Sequence, residues 1–104
     1  MIQRVVAVKL KASYRDASTL QSIAAETVRV LGQAVGVLDV RVGLPGDLRT
    51  GREWDLCIFV QLASMEDVET YRVDPVHRAY ADTFLAPLRT QIRVWNFELA
   101  EATE

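Results

Sequence analysis

The chain has very little of what builds metal, disulfide or nucleic-acid sites. It holds one cysteine, Cys57, so no intrachain disulfide forms and no CxxC or zinc pattern exists. It holds one histidine, His77. It has no basic run, and its net charge is -2, the wrong sign for a nucleic-acid surface. Its longest apolar stretches are strand-sized, well short of the roughly 20 residues of a membrane span. The first residues, "MIQRVVAVKLKAS", alternate and have no unbroken apolar core, so no signal peptide is expected and a cytoplasmic setting is. No repeat or low-complexity segment is present.

What is there suits a single packed domain over residues 1–104. Half of the residues are apolar and a quarter are charged. That length buries one core without metal or disulfide.

Residues 2–10 alternate, with Val6, Val8 and Leu10 on one face, which predicts a strand. Residues 16–35 follow the helical period through Leu20, Ile23, Thr27, Leu31 and Val35. Ser18 and Gln21 form an S-x-x-Q capping box there, and Gly36 is the stop. Strands are predicted at 37–44, 54–62 and 91–99. "PGDLRTGRE" is read as a loop from its proline and glycines. Ser64 opens a helix that ends near Val73, because Pro75 disfavours helical geometry at Asp74. Asp74 then caps a second helix with Pro75 at its first position, and Pro87 closes it.

The order β-α-β-β-α-α-β predicts a ferredoxin-like α+β sandwich, a four-stranded antiparallel sheet with helices on one face. The helices cover Val6, Val8, Leu10, Leu38, Val40, Val42, Leu56, Ile58 and Val60. The other face mixes Val5, Ala7, Lys9, Asp39, Arg41, Asp55, Cys57, Phe59, Gln61, Arg93, Trp95 and Phe97. That mixture suits a protein–protein seam, with Asp39, Arg41, Phe59, Arg93, Trp95 and Phe97 as its contacts and a second copy as partner. In the last strand Ile92 and Val94 take one phase, and Trp95, Phe97 and Leu99 the other. Either a bulge shifts the register or both faces are buried.

Four segments, "RVVAVKLK", "VLDVRVG", "SMEDVETYRVDPVH" and "RVWNFE", resemble the stress-responsive dimeric α/β-barrel (Dabb) domain over essentially the whole chain. The most specific part is the segment Y-x-x-H-P-x-H, represented by Tyr71, Asp74, Pro75 and His77. The resemblance implies two subunits joined sheet to sheet in a dimeric α/β barrel. It also implies a ligand-binding or stress-associated role with no established reaction. One plant branch closes polyketide rings with this tyrosine and the last histidine, using no cofactor or metal. On that alternative, His77 is the base and Tyr71 the oxyanion donor of a polyketide cyclase- or isomerase-like enzyme. Two family histidines are replaced, one by Asp74 and one by Arg4.

His77 falls at about the third helical position, where the positive helix end favours neutral imidazole. Asp74 beside it favours the charged form. A cavity used by His77 and Tyr71 is expected between helices and sheet. Its expected walls are Arg4, Val6, Val8, Ile23, Thr27, Val40, Ile58, Val60 and Met65, and its ligand is a small hydrophobic or polyketide-like molecule. From spacing alone, His77 reads as a first-turn residue that is merely solvated or hydrogen-bonded. Tyr80 reads as packing, Arg41, Arg49 and Arg52 as solvated, and Cys57 as a small buried hydrophobe. An RNA-recognition fold shares this topology, but the first strand lacks an aromatic and the charge is negative.

Overall fold

The computed structural model describes residues 1–101. Strands β1 (Ile2–Leu10), β2 (Asp39–Gly43), β3 (Leu56–Leu62) and β4 (Arg89–Glu98) form one sheet in the order β2-β3-β1-β4. Every neighbouring pair is antiparallel. Helices α1 (Ala17–Leu31), α2 (Leu48–Glu53), α3 (Met65–Val73) and α4 (Pro75–Arg78) complete the chain with a π-helical segment, Ala79–Leu85, that continues α4. This is the ferredoxin-like fold, with its core between sheet and helices. Val8, Leu56, Ile58, Val60 and Leu62 from the sheet meet Ile23, Leu31, Val68, Tyr71, Tyr80 and Leu85 from the helix layer, all of them buried.

Several local expectations are corrected. Helix α1 is capped by Asp16, whose Oδ2 accepts from the Thr19 N–H at 3.1 Å, rather than by Ser18. It ends at Leu31, short of Gly36. Gly36 sits four residues beyond Gly32, with φ +78, a conformation that favours glycine. The "PGDLRTGRE" stretch contains α2, capped by Asp47, whose Oδ1 accepts from the Thr50 N–H at 2.8 Å. Leu38 lies outside β2 and is mostly exposed rather than buried under helices.

Asp55 is likewise not a surface residue of the seam. Its carboxylate is buried, accepting from the Leu10 N–H at 2.7 Å and from Arg15 Nε at 3.0 Å. A buried carboxylate requires such partners, and these two tie β1 and the start of α1 to the entry of β3.

Neither alternative for β4 holds within the chain: the bulge precedes Ile92, and Val94, Trp95 and Phe97 are exposed. The register slips between Lys9 and Leu10, opposite Arg89–Gln91, and is constant afterwards. Ile92 and Val94 therefore pair with Val8 and Val6 on the helix side. Trp95 pairs with Val5 on the outer side, and Phe97 with Gln3. Both faces of this edge strand are apolar. The outer face carries a row Arg41–Phe59–Val5–Trp95 across all four strands.

Candidate functional site

The site grows out of the helix reversal at Asp74. Ser64 caps α3, its Oγ accepting from the Asp67 N–H at 3.2 Å, and Glu66 and Asp67 suit the positive end of that helix. Pro75 holds Asp74 extended, at φ -62 and ψ 133. From that position Asp74 serves two helices. Its N–H donates to the Tyr71 carbonyl at 3.1 Å, closing α3, and its Oδ2 accepts from the Val76 N–H at 3.1 Å, opening α4. The chain turns back on itself, and the third residue of α4 returns over the last turn of α3.

His77 thereby meets Tyr71. Their ring centroids lie 4.2 Å apart with planes tilted by 35°. His77 is only 9% exposed and Tyr71 2% exposed, so of the two plain readings of His77 the hydrogen-bonded one holds and the solvated one does not. The His77 Nδ1 lies 3.1 Å from the Arg72 carbonyl. A carbonyl only accepts, so Nδ1 carries the proton and the neutral ring keeps its lone pair on Nε2.

Burial sets the electrostatics. It lowers the His77 pKa below the usual histidine value, and the positive charges of Arg78 and Arg4 act in the same direction. The Arg72 carbonyl and Asp82 oppose the shift. Asp74, expected to favour the imidazolium, is not among the groups that shift it. Burial also raises the Tyr71 pKa strongly, so the phenol stays protonated. Tyr80 is pushed up to about 12 by burial, while its hydrogen bond with Thr27 opposes this.

Beside these rings lies a cavity of about 50 Å³. Arg4, Val6, Ile58, Val60, Tyr71 and His77 line it, as do Leu31, Tyr80, Ala81, Leu85, Ile92 and Val94. Arg4 is 8% exposed and reaches in from β1. Its Nη1 donates to Asn96 Oδ1 at 3.0 Å, and its Cζ lies 5.9 Å from the centre of the Tyr71 ring. Larger hollows, such as the one along Arg15, Pro45 and Arg52, are open surface depressions.

Five expected wall residues lie elsewhere. Val8 and Ile23 are closed in the packed core. Thr27 is fully buried with its hydroxyl donating to the Ile23 carbonyl at 2.7 Å and also bonded to the Tyr80 hydroxyl. It positions a wall residue without being one. Val40 sits on β2, at the edge of the sheet away from β4, and Met65 opens α3 and is substantially exposed. The unanticipated walls come from β4, the π-helical segment and the last residue of α1, Leu31. The strand order of the fold places Ile92 and Val94 beside β1, so topology contained the signal for those two. Tyr80 does pack, as expected, but also faces the cavity.

The remaining candidates belong to the outer face. Trp95 is 43% and Phe97 54% exposed, and Phe59 is half-buried. Asp39 and Arg41 pair with each other within β2, with Oδ2 accepting from Nε at 3.0 Å, and both are exposed. Arg93, opposite Ala7, is exposed. Cys57 is half-buried on this face rather than in the core, and burial raises its thiol pKa. Among the described residues no group of three or more His, Cys, Asp or Glu side chains is arranged to hold a metal, and no helix is long and apolar enough to cross a membrane.

Fold and site together define a ferredoxin-like α+β domain with a cavity between its two layers. Residues 2–99 match the stress responsive A/B barrel domain, and the chain belongs to this family, Dabb. Similar solved structures are a Dabb family protein with a ferredoxin-like fold from Mesorhizobium loti, at 13% identity over 96% of this chain and 97% of that one, TM-score 0.79. A hydroxynitrile lyase from Passiflora edulis is 15% identical over 99% and 96%, TM-score 0.78. A dimeric ferredoxin-like protein of unknown function from Thermobifida fusca is 16% identical over 94% and 90%, TM-score 0.76. No curated protein sequence matches the chain.

Proposed function

We propose that the protein is a cytoplasmic homodimer that binds a small apolar molecule in one cavity per subunit. The observation that carries this reading is the cavity between helices and sheet that His77, Tyr71 and Arg4 line together. Protein interiors are close-packed, and a concave apolar space with a few converging polar groups is the usual form of a ligand site. The dimer is supported by Phe59, Trp95 and Phe97 on the outer face and by the dimeric Thermobifida relative. The test is mass spectrometry of small molecules released when the purified protein is denatured. Wild type should release a ligand that Ala81→Phe, which fills the cavity, does not. Equal release from both would place the ligand elsewhere.

A second reading is a cofactor-free cyclase- or isomerase-like enzyme, favoured by the contact of a neutral imidazole with a protonated phenol. His77 Nε2 would take a proton from the carbon between two carbonyls. The Tyr71 hydroxyl would donate to the enolate oxygen that forms. The Passiflora lyase supports the idea that this fold hosts chemistry, by analogy of fold alone.

A further inference from the structure

Arg4 is the cavity residue whose polar head is least provided for. It occupies the helix-facing phase of β1, between Ile2 and Val6, where every other residue is apolar. Nη1 is held by Asn96, but Nε is buried with no hydrogen-bond partner among the described residues. No carboxylate pairs with Arg4 there either, although Arg15, Arg29, Arg41, Arg72 and Arg78 all have one. Taking a guanidinium out of water without a counter-charge is costly, and burial lowers its pKa, yet an arginine stays charged. Arg4 is thus a buried cation in the cavity wall with no carboxylate beside it among the described residues.

Building on the cavity reading above, we propose that Arg4 selects the ligand class: small apolar carboxylic acids, bound as carboxylates against its guanidinium. The planar guanidinium matches a carboxylate in geometry as well as charge. Three features favour a carboxylate over a phosphate. Arg4 is the only permanently charged side chain in the cavity wall. The rest of the wall is aliphatic apart from Tyr71, Tyr80 and His77. The cavity is small, about 50 Å³, and suits a compact molecule of one charge. The apolar body would rest on Val6, Ile58, Leu85 and Val94.

Acetate and its neutral isostere acetamide, titrated into the full-length protein while the amides of Ala81 and Val94 are followed by NMR, test this directly. Acetate should bind about tenfold or more tighter than acetamide, the size expected of a buried charge-assisted hydrogen bond. Arg4→Met, which keeps the aliphatic bulk, should erase that preference. Arg4→Lys should retain part of it. Equal binding of the two compounds by wild type, or an undiminished preference in Arg4→Met, overturns the role of Arg4 and leaves the cavity reading standing. Binding of neither compound overturns both. Dissociation of the dimer by Arg4→Met would show that a protein group neutralises Arg4, and would also overturn the proposal.

Discussion

The imidazole of His77 lies against the ring of Tyr71, with centroids 4.2 Å apart, although six positions separate them in the chain. The reversal at Asp74 and Pro75 creates this contact, and burial gives the two groups opposite shifts. The histidine is held neutral and the tyrosine is held protonated. A base and a hydrogen-bond donor therefore stand side by side at neutral pH without a metal ligand or a charged neighbour at hydrogen-bond distance.

This shift makes stability depend on pH in a defined direction. The unfolded imidazole titrates near 6.5, and the folded one titrates lower. Between those values the unfolded chain binds a proton that the native protein does not. The contribution is complete above about pH 6.5, declines as pH falls toward the folded value, and is level below it. Its slope is at most about 1.4 kcal/mol per pH unit. Wild type should therefore lose unfolding free energy relative to His77→Gln as pH drops from 7 to 5, measured by urea titration at several pH values. A difference independent of pH would mean that His77 titrates normally.

Asp74 is predicted to act through the backbone. Asp74→Ala removes the acceptor for the Val76 N–H and should cost about 0.5–2 kcal/mol, while Asp74→Asn keeps a cap and should lose little. Urea denaturation separates the two. Equal losses in both variants would show that the carboxylate charge, rather than the cap, matters.

Much of this architecture was legible in residue patterns. Alternation in β1 and β3 and the punctuation Ser64, Asp74, Pro75 specify local geometry directly, because each reflects a short-range rule. Helix α2 was hidden by Pro45, Gly46 and Gly51, whose loop character outweighed the Asp47 cap. The π-helical segment was hidden because its side chains keep nearly helical spacing while the backbone adds a residue to the turn. Tyr71 and His77 could be singled out, but their walls could not all be named. Val8 and Val6 have the same phase in β1, and only the packing of the helices decides which of the two faces open space.

The outer face leads to a prediction about assembly. Phe59, Val5 and Trp95 form an adjacent row with Phe97 nearby, and each large aromatic buries on the order of 150–250 Å² when covered. An isologous contact through this face closes at two subunits. Asp39 and Arg41 are already paired within one chain, so the aromatic row, rather than a cross-subunit pair between them, would dominate the seam. Sedimentation at tens of micromolar should give a dimer for wild type, and dissociation or aggregation for Trp95→Asp. A dimeric Trp95→Asp would mean that the subunits meet elsewhere.

The central claim is that His77 is a buried, neutral member of a ligand cavity. Because the chain has a single histidine, NMR reports on its ring without ambiguity. The most direct measurement is a pH titration of the His77 ring signals, with and without a small apolar ligand. The account predicts a pKa below 6.5 in the free protein, a proton on Nδ1 in the neutral form, and ring signals that move when the ligand is added. An ordinary pKa with signals indifferent to every ligand tried would contradict it.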